Sequence, residues 1–268
     1  MKGILLITTA LLTIASCTYP ADSGDFSAQE LALIKNADCN GTSASKDHDN
    51  SGIPNGTLRV LTACDSTDLA ILRTPSHDLS AKALNSEEYE RLCALMIATV
   101  THPSQDGVGI AGPQVGMNRR VVAVQRFDKE PVMHAGRMDY PFEVYPNIRI
   151  VWASDSLANG PEGCLSVPDR RGDVLRSTSI VIEYADMVFS TAQESCDSCC
   201  RISQSPENQS NTANRLRHLP HAILDKELRG NKLRDTIPIV RDTISGFTAV
   251  IFQHEIDHLD GILYIDRL

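Results

Sequence analysis

Residues Gln253-His254-Glu255-Ile256-Asp257-His258 decide the fold, because they place two histidines four positions apart near the end of the chain. On an α-helix that spacing puts both imidazole rings on one face, where they can point at a common centre. Glu255, beside the first ring, can take a proton from a metal-bound water without being a ligand itself. The pattern predicts a C-terminal metal-binding helix. Taken alone it also fits zinc peptidases, and a lone helical histidine is more often structural.

Two motifs further upstream extend this prediction. Glu162-Gly163-Cys164-Leu165-Ser166 offers Cys164 as a soft third ligand, and a glycine-rich run over 107–116 contains the amide side chain of Gln114. Cys164, His254 and His258 would leave one position of a tetrahedral site open, which is typical of a catalytic rather than a structural metal. A buried cysteine alone would more often belong to the core.

Together and in this order, the three motifs resemble those of the peptide deformylase family, metallohydrolases that remove formyl groups from N-formylmethionyl peptides. The resemblance covers about residues 66–190 and 236–268. It implies an α+β fold in which antiparallel sheets pack around a central C-terminal helix carrying the HExxH motif. It also implies one divalent metal ion, for which we expect Fe²⁺, with Zn²⁺ and Ni²⁺ as alternatives.

The resemblance also assigns roles to individual residues. Glu255 is the expected general base, and the Gln114 side chain and the Leu165 backbone N–H are the expected donors to the developing oxyanion. The residues expected to bind the peptide are Gly109, Val108, Arg171, Glu162 and Gly163. Val250 and Ile251 are candidates for the methionine pocket, although helix core explains them equally well. The glycine-rich run alone would indicate no more than a turn.

The composition limits the class of protein. The chain has 268 residues, 42% of them hydrophobic, and a formal net charge of −9. This length suits one globular domain with additional segments. The acidic balance argues against binding a phosphate backbone, so we expect no nucleic-acid partner. The expected partner is an N-formylated peptide, and we expect the protein to be monomeric.

The N-terminus resembles a targeting segment. Met1-Lys2 is followed by an apolar run over 3–15 and then by Ile14-Ala15-Ser16-Cys17, which is similar to a bacterial lipobox. The run is too short for a transmembrane helix, which needs about 20 residues. We expect cleavage before Cys17, lipidation of that cysteine and a location in the bacterial cell envelope, facing outside the cytoplasm. An ordinary cleaved signal peptide or a buried helix are the alternatives.

The predicted organisation has three parts: a lipoprotein signal over 1–17, a flexible tether over 18–56 with a weak helical pattern near 28–34, and a catalytic domain over 57–268. The catalytic domain is expected to contain an insertion at about 190–236, where hydrophobic periodicity is lost. Loops of that length are usually functional or disordered. Of the eight cysteines, those not assigned to lipid or metal could form disulfides in an oxidising compartment.

Hydrophobic periodicity and capping residues predict six elements. The predicted helices are 86–100 and 246–259, the second one ended by Gly261, and the predicted strands are 121–124, 144–152, 180–184 and 262–265.

Two other functions remain open at this stage. The first is an exported metallo-amidohydrolase or metallopeptidase acting on other peptides, against which Cys164 argues because such enzymes usually complete the site with His, Glu or Asp. The second is a non-catalytic surface lipoprotein, which a lost ligand or base would favour. All the expected ligands and the base are present.

Overall fold

Antiparallel sheets and one central helix form the frame of the molecule. The computed structural model describes residues 23–37, 56–134, 137–186 and 237–268. The helices are α1 (Ala28–Asn36), α2 (Ser66–Leu72), α3 (Ala81–Leu84), α4 (Glu87–Val100) and α5 (Gly246–Leu259), with 3₁₀ helices at Gly112–Val115 and Tyr264–Arg267. The strands are β1 (Gly109–Ala111), β2 (Val121–Gln125), β3 (Val132–His134), β4 (Arg137–Asp139), β5 (Phe142–Pro146), β6 (Arg149–Ala153), β7 (Leu157–Cys164), β8 (Val167–Ser177), β9 (Ser179–Ala185) and β10 (Ile239–Ser245). The predicted α+β class is confirmed.

Helix α5 lies at the centre because apolar residues occur almost all round it. Ala249, Phe252 and Leu259 are fully buried in a cluster with residues of the surrounding sheets. The helix ends where Gly261 takes a left-handed conformation with φ of 73°. A Cβ there would lie 2.5 Å from the Arg73 carbonyl oxygen, so only glycine fits this end. The predicted bounds of this helix are confirmed.

The sheets leave two strand edges open beside α5. One sheet has the order β1-β2-β5, a second has the order β10-β9-β6, and β7 pairs with β8 in a long hairpin. Among the described strands, β1 and β7 are each paired on one side only. Their free backbone groups can therefore pair with an added peptide strand.

Helix α4 supports the first sheet from the other side. The Ser86 side chain accepts a hydrogen bond from the Tyr89 backbone N–H and so caps the helix. Leu92, Leu95 and Met96 are buried at helical spacing against the core. The prediction of a helix over 86–100 is confirmed.

Two predicted strands are wrong in detail. The strand predicted over 144–152 is divided into β5 and β6 by Asn147, whose φ is 53° and whose side chain bonds both backbone groups of Leu79. The strand predicted over 262–265 is absent, and a 3₁₀ helix begins there instead. The backbone N–H of Leu263 donates to the Asp266 carboxylate at 2.9 Å, which favours the helical turn.

The predicted flexible tether is wrong for residues 23–37, which form an arm docked on the domain. Helix α1 begins with a capping box between Ser27 and Glu30. Arg119 Nε donates to Glu30 Oε1 at 2.7 Å, and both side chains are largely buried. Ile34 is fully buried in the core cluster. A buried ion pair and a buried apolar side chain therefore hold this arm in place.

The predicted signal over 1–17, including Cys17, lies outside the described residues, as does the whole of the predicted insertion over 190–236. Within the ranges that are described, no helix has the length and apolar character needed to cross a membrane.

Candidate metal centre and active site

Strand β7 and helix α5 bring the three predicted ligands together. The Cys164 Sγ lies 3.2 Å from the His258 Nε2, and one ligand atom from each of Cys164, His254 and His258 lies within 4.8 Å of the other two. Ligands of a tetrahedral ion with bonds of 2.0–2.3 Å are about 3.5 Å apart. The donor set and its spacing therefore fit one divalent metal ion.

A buried carboxylate fixes the orientation of one ligand. Glu162 Oε2 lies 2.8 Å from His254 Nδ1, which leaves the Nε2 of that ring for a metal ion. The same carboxylate accepts two hydrogen bonds from Arg176, at 2.7 and 2.9 Å. Both carboxylate oxygens of Glu162 are therefore engaged, while the residue also lines the cavity described below, so its expected contact with substrate stays a prediction.

Arg176 joins this carboxylate to a second one. Its Nη1 donates to Asp257 Oδ2 at 2.6 Å, and Asp257 lies between the two histidines on α5. Arg176 and Asp257 have exposed fractions of 4% and 7%. Burial of this kind is tolerated only when charges are paired, so the network fixes α5 against the β7–β8 hairpin.

The electrostatics of the ligands follow from this network. Burial alone would raise the pKa of Glu162, but Arg176 and His254 outweigh it and hold the pKa at about 2. Burial also opposes protonation of His254, whereas Cys164 and Glu162 raise its pKa to about 10. Burial and the charge of His254 lower the pKa of His258. Negative groups therefore surround His254, and they favour a cation at the centre.

Glu255 occupies the position expected of a base. It is 4% exposed, its Oε2 has no hydrogen-bond partner among the described residues, and burial raises its pKa to about 7. A Cβ on Gly109 would lie 2.5 Å from Glu255 Oε1. Gly109 therefore leaves the space that this carboxylate occupies at the cavity wall.

Gln114 faces the metal ligands from the 3₁₀ helix after β1. Its Oε1 accepts from the Ala111 backbone N–H at 2.8 Å, which fixes the amide. Its Nε2 points to Cys164 Sγ at 3.5 Å and to Ser166 Oγ at 3.3 Å. The donor group is thus held beside the ligands, as an oxyanion donor requires.

A cavity of about 790 Å³ opens in front of these groups. The other predicted site residues that line it are Val108, Gly109, Gly163, Leu165, Arg171, Val250 and Ile251. Arg171 is exposed and lies opposite Gly163 in the β7–β8 register. The predicted catalytic residues and two of the metal ligands, Cys164 and His254, therefore line one cavity, and His258 is buried beside those two ligands.

Three residues of the site were not expected from the sequence: Arg176, Ser166 and Phe247. Arg176 lies in β8, and only the hairpin register brings it to Glu162. Ser166 is fully buried beside Gln114, and Phe247 lines the cavity while 58% exposed. The sequence carries no signal for Arg176, whereas Ser166 lies inside a motif that had already been recognised.

Comparisons with known proteins agree with this geometry. The family model described as polypeptide deformylase matches residues 59–200 and 236–268. The peptide deformylase of Leptospira biflexa is 29% identical over 198 residues, which cover 74% of this chain and 82% of that protein. Peptide deformylase 2 of Gloeobacter violaceus is 31% identical over 198 residues, which cover 74% of each chain.

The solved structures lead to the same family. The class I type b peptide deformylase of Acinetobacter baumannii with Met-Ala-Ser bound is similar, with a TM-score of 0.52 and 27% identity. The match covers 79% of this chain and 98% of that one. The family model alone accounts for more than half of the present chain. This chain therefore belongs to the peptide deformylase family of metal-dependent hydrolases.

Proposed function

We propose that this protein hydrolyses the formamide bond of N-formylmethionyl peptides and releases formate and a free amino terminus. The observation that carries the proposal is the convergence of Cys164, His254 and His258 beside a cavity that Glu255 lines, where the Glu255 Oε2 has no hydrogen-bond partner among the described residues. The exported peptidase and the non-catalytic lipoprotein are disfavoured, because the family match comes with a complete donor set and base.

Each residue has a distinct part in this reaction. Cys164, His254 and His258 would hold a divalent ion, which would supply Lewis-acid chemistry and lower the pKa of water in the site. Glu255 accepts a proton from the attacking water and returns it to the leaving amine. Gln114 Nε2 donates to the oxygen on which negative charge develops, and the Leu165 backbone N–H is the second donor. Glu162 and Arg176 keep the His254 ring in the required orientation.

The two open strand edges supply the substrate site. Gly109 on β1 and Gly163 on β7 line the cavity, and neither carries a side chain that would block a peptide backbone. Val108, Val250 and Ile251 provide apolar surface for the methionine side chain. Arg171, opposite Gly163, is placed to donate to the peptide backbone further along.

Fe²⁺ is the proposed native metal, because a thiolate with two imidazoles suits iron(II). Zn²⁺ and Ni²⁺ fit the same donors. Protein purified without oxygen from cells grown without added metal should contain iron in stoichiometric amount by elemental analysis. Zinc or nickel at that stoichiometry would replace this assignment without changing the proposed reaction.

The enzyme is proposed to act in the cell envelope as a monomer anchored through a lipid on Cys17. The support is the sequence of residues 1–17. Labelled palmitate should be incorporated into the full-length chain and lost in Cys17→Ala. Cys64→Ala is the matched control, since Cys64 is exposed and free. Equal labelling of the two variants would refute the anchor at Cys17.

Formate release from formyl-Met-Ala-Ser is the direct test of the reaction. Glu255→Gln should lower kcat by about 100- to 10,000-fold, since it removes the general base and nearly preserves size. Glu183→Gln is the control, because Glu183 pairs with Arg241 on the distant sheet. Folded, metal-loaded wild-type protein that released no formate but cleaved unblocked peptides would establish the peptidase alternative instead.

A further inference from the structure

The C-terminal residues Arg267 and Leu268 follow the site motifs, and Arg267 contacts the charged network behind the metal ligands. Arg267 Nε donates to Asp257 Oδ2 at 2.6 Å, and its Nη2 donates to Asp257 Oδ1 at 2.5 Å. This two-point contact is the geometry in which a guanidinium binds a carboxylate most strongly. The mechanism above assigns no role to Arg267.

A continuous series of contacts connects Arg267 with a metal ligand. Asp257 also accepts from Arg176 at 2.6 Å, and Arg176 donates twice to Glu162. Glu162 in turn contacts His254 Nδ1 at 2.8 Å. Each step is a charged hydrogen bond, and the groups between Arg267 and the ligand are largely buried.

Asp257 has two charged partners only when Arg267 is counted with Arg176. Two buried carboxylates, Glu162 and Asp257, share one buried cation, Arg176. Without a second cation, Asp257 would be left with one charged partner and would compete with Glu162 for Arg176. A buried carboxylate short of partners is costly, and the structure would relax by drawing Arg176 away from Glu162.

We propose that Arg267 is a positioning residue for the metal centre. By neutralising Asp257, it leaves Arg176 free to hold Glu162, which fixes the His254 ring. The inference rests on the proposed metal site. It assigns to the C-terminal 3₁₀ helix a part in retaining the metal, in addition to its packing on the domain.

The surrounding contacts hold Arg267 where it can act. The Tyr264 ring stacks on the His254 ring, with centroids 6.0 Å apart and an angle of 24° between the planes. Arg73 pairs with Asp266, and the Leu268 side chain fills the space in which a Cβ on Gly172 would lie. The C-terminal segment is thus fixed on both sides of Arg267.

The test is the rate at which metal leaves the folded, full-length protein. Zinc-loaded wild type and Arg267→Met are mixed with a chromogenic chelator, and zinc transfer is followed by absorbance. Removal of a group that helps to orient a metal ligand typically weakens metal binding about 10- to 100-fold. Zinc release from Arg267→Met should therefore be faster by that factor. Arg267→Lys restores the charge without the two-point contact and should fall between them.

Arg73→Met is the matched control, because it breaks the other ion pair of the same segment without touching Asp257. Its zinc release should stay within about twofold of wild type, as expected for an exposed pair. Equal acceleration in Arg73→Met and Arg267→Met would overturn the proposal, since loosening of the segment alone would then explain both.

A double variant separates positioning from general stability. Asp257→Asn removes the group through which Arg267 acts, so adding Arg267→Met to it should cause no further acceleration of zinc release. Additive effects would overturn the proposal. Wild-type protein that binds no zinc would instead refute the proposed metal site, whereas normal binding with an unaffected Arg267→Met would refute this inference alone.

Discussion

The glycine wall of the cavity, residues 107–116, has no charged side chain, whereas the metal wall, residues 157–177 with α5, has a charged interior. In the glycine wall, Gly109 and Gln114 are placed by close packing and by hydrogen bonds to the backbone. In the metal wall, Glu162 and Arg176 are placed by buried ion pairs.

This difference reflects the different requirements of a metal ligand and of an oxyanion donor. A metal ligand must keep its orientation while carrying charge next to a cation, and paired charges achieve this at the cost of desolvation. An oxyanion donor must approach the reacting atoms closely, and small residues make room for it. The metal wall should therefore be sensitive to changes of charge, and the glycine wall to changes of volume.

Arg176→Met should have the largest effect, because it leaves Glu162 and Asp257 buried with too few partners. Breaking a buried pair in this way costs about 3–5 kcal/mol of folding free energy. Urea denaturation and metal analysis of the purified protein should show both lower stability and loss of metal. Arg241→Met on the exposed sheet should change neither stability nor metal content. An Arg176→Met variant that stays stable and metal-bound would contradict the expectation that the metal wall is sensitive to charge.

Gln114→Ala should have the next largest effect and should act on rate alone. Removal of one oxyanion donor costs about 100- to 1,000-fold in kcat. Steady-state kinetics with formyl-Met-Ala-Ser should show this loss, with KM nearly unchanged and the metal retained. A rise in KM at constant kcat would show instead that Gln114 serves substrate binding in the ground state.

Gly109→Ala tests sensitivity to volume directly. The added methyl would lie 2.5 Å from Glu255 Oε1, so the carboxylate has to move. Displacement of a catalytic group by about 1 Å can cost about 100-fold in rate, and we expect that loss in kcat/KM with the metal retained. Gly160→Ala is the control, because its Cβ would meet nothing within 4 Å. Equal activity of both variants would contradict the expectation.

Asp68→Asn should have the smallest effect, and it tests a charge behind the glycine wall. Asp68 pairs with Arg59 and accepts a hydrogen bond from the Thr62 backbone N–H. The neighbouring backbone N–H of Leu61 donates to the Gln114 backbone carbonyl, so this segment contacts the glycine wall. The substitution should cost about 1–3 kcal/mol of stability at pH 7, with activity retained.

The pH dependence of the stability lost in Asp68→Asn gives a further check. Arg59 and the Thr62 backbone N–H hold the pKa of Asp68 below its usual value of 3.8. A carboxylate with a lowered pKa stabilises the fold fully above its unfolded pKa, and the contribution is lost as the pH falls through the folded pKa. The stability difference between wild type and Asp68→Asn should therefore shrink below pH 3.8. A difference constant down to pH 2 would contradict this assignment.

Features that depend on local spacing along the chain were predicted from the sequence. The four-residue interval of His254 and His258 and the apolar pattern of α4 and α5 predicted the two helices correctly, and two of the motifs predicted the Cys-His-His group. These features depend on neighbours in the chain, so they can be predicted without knowledge of the tertiary structure.

Features that depend on distant contacts were missed or misassigned. Arg176 meets Glu162 only through the register of a hairpin, and Arg267 reaches Asp257 only after α5 has ended. The arm was taken for a tether because its polar composition hides one buried ion pair, between Glu30 and Arg119, which are 89 positions apart. Propensity cannot detect pairings at that separation.

The docked arm also limits the distance between the catalytic domain and the lipid proposed on Cys17. A tether over 18–56 would have let the catalytic domain sample a wide volume above the bilayer. With the arm docked from Ser23 onward, only five residues lie between Cys17 and the first described residue. An extended chain spans at most about 3.6 Å per residue, so Cys17 can lie no more than about 20 Å from Ser23. If Cys17 carries the proposed lipid, the catalytic domain would stay within that distance of the bilayer and would meet only the formylated peptides found there.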